Sequence, residues 1–325
     1  MSEHEHILAA YEFDENGGGK KLASSEIQSS INSPKPAWVH LDANHPDTKN
    51  WLEKEFPEMQ PLVLQALLED ETRPRITEID DGILLILRGA NLNDNSQPED
   101  MVSIRLWVDK RGIISLRKRK LRAIGDIEDS IKAGLGPKST SEFICLLIDR
   151  LFKRMEPVLA SLDERTDNIE ENIIENPKTQ HREEIIDIRR KAIIFRRYMS
   201  PQRDAITNLR IADLSWMDEL AIKRLSESIN HVTRFIEDLD AIRERAQIVK
   251  DELSNILADR LNRNMYLLSV IAAIFLPLGF LTGLLGVNIG GIPGVNNSYA
   301  FGFFCGILFV IVMIQIYIFK KNKWF

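Results

Sequence analysis

The sequence predicts an α+β domain, then long helices, then two C-terminal helices that span a membrane. Three observations carry this. Short β-rich runs separated by turn residues fill the chain up to about Arg122. After Ser139 the apolar residues recur only at helical spacing. From Asn264 to Phe319 there is no Asp, Glu, Lys, Arg or His.

In the first part, His6–Phe13, Trp38–Leu41, Ile83–Leu87, Val102–Val108 and Ile113–Leu116 read as strands. Residues 46–56 and 62–69 read as helices, with Pro46 suited to a first helical position. The run Gly17-Gly18-Gly19-Lys20 lacks the spacing and the Ser/Thr of a phosphate loop, so it reads as a hairpin turn. Cys145 and Cys305 stand apart from other Cys or His and are expected to be small buried hydrophobes, not metal ligands.

The helical part begins with Leu151, Met155, Leu159, Leu162, Ile169 and Ile173, and Asn176-Pro177 ends that helix. A second helix is expected over about 182–209. In a third, Leu225, Ile229, Val232, Ile236, Leu239, Ile242, Ala246, Val249, Leu253 and Ile256 recur at steps of three and four, as in a coiled-coil seam. No Pro or Gly interrupts Trp216–Asn264, so this helix should run straight into the first apolar stretch.

Those stretches, about 265–285 and 300–319, each reach about 30 Å as helix, enough for a bilayer core. Basic residues flank them on one side only: Lys250, Arg260 and Arg263 before, Lys320, Lys321 and Lys323 after. Both termini should therefore face the cytoplasm, as should the acidic start MSEHEH, which does not resemble a signal peptide. The expected division is a cytoplasmic α/β domain at 1–138, a helical stalk at 139–263 and a membrane domain at 264–325 with its loop at 286–299. Gly279 and Gly283, and Gly302 and Gly306, lie four apart and permit close helix approach. Pro277 should bend or loosen the first span.

Stepping by seven along the third helix gives Asn230, Glu237, Glu244, Asp251, Ala258, Met265, Ala272, Gly279 and Gly286. A companion row reads Asn262, Ser269, Leu276 and Gly283. Residues seven apart share a face in a left-handed supercoil. Repeated around an axis, Glu237, Glu244 and Asp251 would become carboxylate rings that attract cations, and the apolar members would line a path. Two helices cannot enclose such a path, so several copies are expected. The net charge of −6 gives no reason to expect nucleic-acid binding, and no nucleophile–base pair or cofactor loop points to an enzyme.

The first span ends Phe280-Leu281-Thr282-Gly283-Leu284-Leu285-Gly286-Val287-Asn288. This resembles the signature of the CorA superfamily of metal-ion transporters, a Gly-x-Asn tripeptide after the first of two membrane helices. Ile289-Gly290-Gly291-Ile292-Pro293-Gly294 then resembles the ZntB-type zinc-transporter branch. So do Glu71-Thr72-Arg73-Pro74-Arg75, Arg197-Tyr198-Met199, Pro201-Gln202-Arg203-Asp204, Trp216-Met217 and Lys323-Trp324.

The resemblance implies a homopentamer with a funnel-shaped cytoplasmic part, in the bacterial inner membrane. It implies a pore lined by the first membrane helix, with Gly286, Val287 and Asn288 at its outer mouth. It implies zinc as transported substrate, taken up with protons, with cobalt, nickel and cadmium as further cations. No cofactor is implied. Asn288 would meet a hydrated ion through its amide, with Asp251 as a second metal contact. Two other readings stay open: a channel for magnesium, cobalt or nickel driven by membrane potential, and a membrane-anchored scaffold that conducts nothing. The membrane segment has no ionisable group, so coupled protonation would fall to His231, Glu244, Asp251 or water.

Overall fold

The computed structural model describes residues 5–31, 33, 35–70, 72–80, 82–287, 294 and 297–321. They form two compact units, 1–251 and 252–325.

Unit 1 is built on a seven-stranded mixed sheet: β1 (Ile7–Phe13), β2 (Gly19–Lys21), β3 (Ala37–Asp42), β4 (Arg75–Ile79), β5 (Gly82–Gly89), β6 (Val102–Asp109) and β7 (Gly112–Arg117). The order is β2-β1-β3-β7-β6-β5-β4, and only β3 and β7 pair in parallel. The five predicted strands form. The Gly17–Lys20 run does turn a hairpin, with Gly17 at φ +89° and the Asp14 carboxylate accepting from the Asn16 and Gly18 amides at 2.8 Å. A side chain at Gly112 would run into the Ala37 carbonyl, so the parallel pair needs glycine there.

Helices α1 (Ile27–Ile31), α2 (Asp47–Glu55) and α3 (Pro61–Leu68) bury Ile27, Trp51, Leu52, Val63 and Leu67 against Val39, Leu41, Leu84 and Leu116. On the alternate side of β3, Trp38 meets Phe143 of α5 (Thr140–Glu175) at 5.0 Å between ring centroids. Ser139 caps α5 by accepting from the Glu142 amide. The unpredicted α4 (Arg122–Lys132) is tied to α5 by an Arg154–Asp126 pair. Then follow α6 (His181–Ile211) and α7 (Glu219–Leu285), which is 67 residues long.

The seam on α7 is present but its partner lies in the same chain. Leu225, Val232, Leu239, Ile242, Ala246 and Val249 are buried in unit 1. Phe152 of α5 packs edge-on against Phe235, and Arg196 of α6 reaches Asp240 at 2.6 Å. Arg245 gathers Asp163, Asp167 and Glu170 of α5, and its hydrogen bonds to Glu170 and Asp167 hold its pKa above the ordinary arginine value. The seam is therefore an intramolecular core and does not by itself argue for several copies.

Cys145 is buried, and burial pushes its thiol up to about 12. Cys305 departs from expectation and is exposed, on a face of α8 (Ala300–Lys321) that this chain does not cover.

The β3–β7 pair also holds a titration switch in the stability of unit 1. His40 is 1 % exposed and shares the Ser115 hydroxyl with the Trp38 indole, at 2.8 Å each. Burial, helped by the Arg117 charge, pushes its pKa down to about 3 from 6.5. Between those pH values the unfolded chain binds a proton at His40 that the folded chain refuses. The contribution of His40 to stability is therefore full above pH 6.5 and declines as pH falls toward 3. Thermal melts from pH 7 to 4 should show a steeper loss in the native protein than in His40→Gln. Parallel curves would refute the assignment.

Candidate ion path

In unit 2 the membrane-facing part of α7 has two unlike sides. Val270 is 5 % exposed, and Ala273, Ile274, Leu278 and Leu281 are half-buried. These positions cluster on one side at helical spacing, and α8 covers them. Asn262, Met265, Ser269, Ala272, Leu276, Gly279 and Gly283 are all exposed, Leu276 at 70 %. At 100° per residue their mean direction lies roughly 200° around the helix from the α8 side. The two predicted rows thus fall on one side of α7 as a strip without a charged group, within a wider uncovered surface that also shows Leu268, Ile271, Phe275 and Phe280.

Ser269 in the strip and Thr282 beside it turn their hydroxyls back on the helix. The Ser269 hydroxyl donates to the Met265 carbonyl at 2.9 Å, and Thr282 donates to Leu278 at 2.9 Å. A Cβ at Gly279 or Gly283 would meet nothing within 4 Å among the described residues. Gly286 closes the helix, its amide donating to the Thr282 carbonyl at 2.9 Å, and Val287 is 44 % exposed. Asn288 lies outside the described residues, as do Trp324 and most of the loop expected at 286–299.

α7 runs through Pro277 without a break. Proline has no N–H, so the carbonyl four residues back, that of Ala273, loses its helical donor. The Gln315 side chain of α8 supplies one: its Nε2 donates to the Ala273 oxygen at 3.1 Å. The sequence reading missed Gln315, the single amide side chain in the second apolar stretch.

Glu237, Glu244 and Asp251 are exposed on the side of α7 opposite its seam. Glu244 is 3.9 Å from Arg243, an exposed pair of little energetic weight, and Asp251 accepts from Gln247 at 2.9 Å through both oxygens. His231, half-buried, packs on Phe235 at 5.8 Å. Among the described residues no three His, Cys, Asp or Glu converge as a metal cage. These acids would act on an ion through charge, each from its own turn of helix.

The proline–glutamine link is testable as a coupling. Gln315→Leu should cost about 1–2 kcal/mol of stability in detergent. In a Pro277→Ala background, where the Ala273 carbonyl regains its N–H, the same change should cost close to nothing. Equal costs in both backgrounds would show that Gln315 does not answer the proline.

Both long apolar helices, with mean hydropathy 2.3 and 2.5 over their best windows, suit a membrane. A family model described as CorA-like Mg2+ transporter protein matches residues 34–321. The zinc transport protein ZntB of Yersinia enterocolitica is 34% identical, over 97% of this chain and 95% of that protein. The divalent cation transporter CmaX of Pseudomonas aeruginosa is 34% identical, over 98% and 96%. The solved structure of full-length CmaX superposes with a TM-score of 0.86 at 34% identity, covering 98% of both chains. These relatives are named as transporters rather than enzymes, and the chain is a membrane protein that belongs to the CorA-like family of metal-ion transporters.

Proposed function

We propose that this protein carries zinc across the bacterial inner membrane, with proton-coupled uptake, through a central path formed by five copies. The observation that carries this reading is the strip from Asn262 to Gly283, uncharged and left uncovered by α8. An uncovered strip of small and soft side chains gains partners when copies of α7 surround an axis, with α8 outside. Met265 and Leu276 then form the narrow rings, and Gly286, Val287 and Asn288 the outer mouth. Glu237, Glu244 and Asp251 supply the attracting field on the cytoplasmic side. The division into 1–138, 139–263 and 264–325 assigns these parts to an α/β domain, a stalk and a membrane domain. Both termini are cytoplasmic in this arrangement, as the basic flanks require. Zinc comes first because the ZntB relative is named for it over nearly its full length. Cobalt, nickel and cadmium are further cations for the same path.

A second reading, a channel for magnesium, cobalt or nickel driven by membrane potential, rests on the family description and on CmaX, named as a divalent cation transporter. Proteoliposome uptake of zinc, magnesium and nickel at several imposed pH gradients separates the two. Zinc flux that rises with an inward proton gradient supports the first. Flux that follows voltage and ignores pH supports the second.

Two mutational outcomes are expected. Asn288→Ala should abolish zinc flux while the assembly, judged by light scattering in detergent, stays intact, and normal flux would remove Asn288 from the mouth. Glu244→Gln with Asp251→Asn should lower initial uptake several-fold at low ionic strength, with the difference shrinking at high salt where charge is screened. Unchanged uptake at low salt would place these acids off the ion's route.

A further inference from the structure

A second charged feature lies within unit 1, between the sheet and α6, and neither the ion path nor the family explains it. A cleft of about 730 Å³ is lined by Arg73, Arg88, Arg105, Lys118, Arg119 and Arg197. Among the described residues its lining acids are Asp70, Glu99 and Asp100. Counted over those residues, six cations against three acids leave the wall at about +3. Two of those acids are already engaged, Asp70 with Lys118 and Glu99 with Lys191 at 3.7 Å.

Arg105 is the informative group. It projects from β6 and is 1 % exposed, where a long charged side chain ordinarily reaches the surface. Its Nη2 donates to the carbonyls of Glu69 at 2.8 Å and Asp70 at 3.3 Å. Nε and Nη1 are buried and have no hydrogen-bond partner among the described residues. A guanidinium carries five N–H groups, so about three of them are unspent. Arg105 also makes no ion pair among the described residues, while burial and the nearby Arg88 charge hold its pKa below the ordinary arginine value. A buried cation with unspent donors is costly unless something answers it. Neighbouring Arg88 is fixed by the Thr72 and Met101 carbonyls and leans on the Tyr198 ring at 4.4 Å, so the inner wall is held in place. Arg73, Arg119 and Arg197 are exposed around it.

We propose that this cleft binds a phosphate-class oxyanion, either inorganic phosphate or the phosphoryl group of a soluble metabolite. A phosphate dianion matches the excess charge. One face of it takes a guanidinium fork while its remaining oxygens accept from the other cations of the wall, where a planar carboxylate has two oxygens to offer. Because the wall is made by β5, β6 and the segment after β7 on one side and α6 on the other, a bound anion would tie the sheet to that helix.

The test is calorimetric titration of the full-length protein in detergent with inorganic phosphate and, separately, with ATP. Sodium chloride at matched ionic strength is the control. Saturable binding of either ligand, with a raised melting temperature, is the expected result. Tighter binding of ATP by tenfold or more identifies a phosphorylated metabolite as the source; equal or tighter binding of inorganic phosphate identifies the free ion. Arg105→Lys, which keeps charge but loses the planar donors, should weaken binding at least tenfold. The rim variant Arg73→Gln/Arg119→Gln changes exposed residues only. It should weaken binding several-fold with an unchanged melting temperature in the absence of ligand, and it decides the matter if the Arg105 variant does not fold. No saturable binding above the chloride control overturns the proposal, as does an affinity untouched by the rim variant.

Discussion

An apolar solvent offers no hydrogen bonds, and that constraint governs everything from Asn264 onward. Each carbonyl in the apolar helices must find its donor within the protein. The Ala273 carbonyl is where this demand becomes specific. Pro277 removes the donor that the helix would supply, and Gln315 returns one from the neighbouring helix. This single contact fixes which side of α7 meets α8, because Ala273 shares that side with Val270 and Ile274. Once that side is set, the opposite strip is left for whatever else α7 touches. The assignment of an ion path therefore rests less on the residues of the strip than on the amide that faces the other way.

Charge is handled by a different logic on each side of α7. In unit 1, Arg245 satisfies three carboxylates of α5 and closes an intrachain core. Glu237, Glu244 and Asp251 lie on the far side of the same helix and are left to solvent. One helix thus carries a half-buried face held by ion pairs to α5 and an exposed acidic face. The exposed acids repel one another weakly while water and salt surround them. They become more effective as field sources only where counterions are confined.

Much of the fold was legible because periodicity survives burial. The central strands β1, β3, β5, β6 and β7 are apolar runs and were read directly. β2 and β4 were not. Gly-Lys-Lys has no apolar residue, and Arg-Ile-Thr-Glu-Ile sits at the edge of the sheet where one neighbour suffices. The amphipathic α4, with Ile124, Ile127 and Ile131 at helical spacing, carried a readable signal that went unused. On α7 the spacing shows the seam and leaves its partner open, since spacing tells that a face is buried but not by which chain. The rows of the candidate path follow from spacing alone. The Gln315–Ala273 bond joins positions 42 apart, and the arginines of the cleft come from five separate elements and loops. Contacts of that kind leave no period in the sequence.

The intrachain seam has a consequence for how the protein is made. Residues 1–251 bury their own core, including α7 as far as Val249, without help from a second copy. The apolar helices follow later in the chain. During synthesis the water-soluble unit can therefore fold before the segments that need lipid have left the ribosome. Insertion then acts on a chain whose longest helix is already anchored by its first half. In the five-copy arrangement proposed above, subunits would meet with unit 1 already folded.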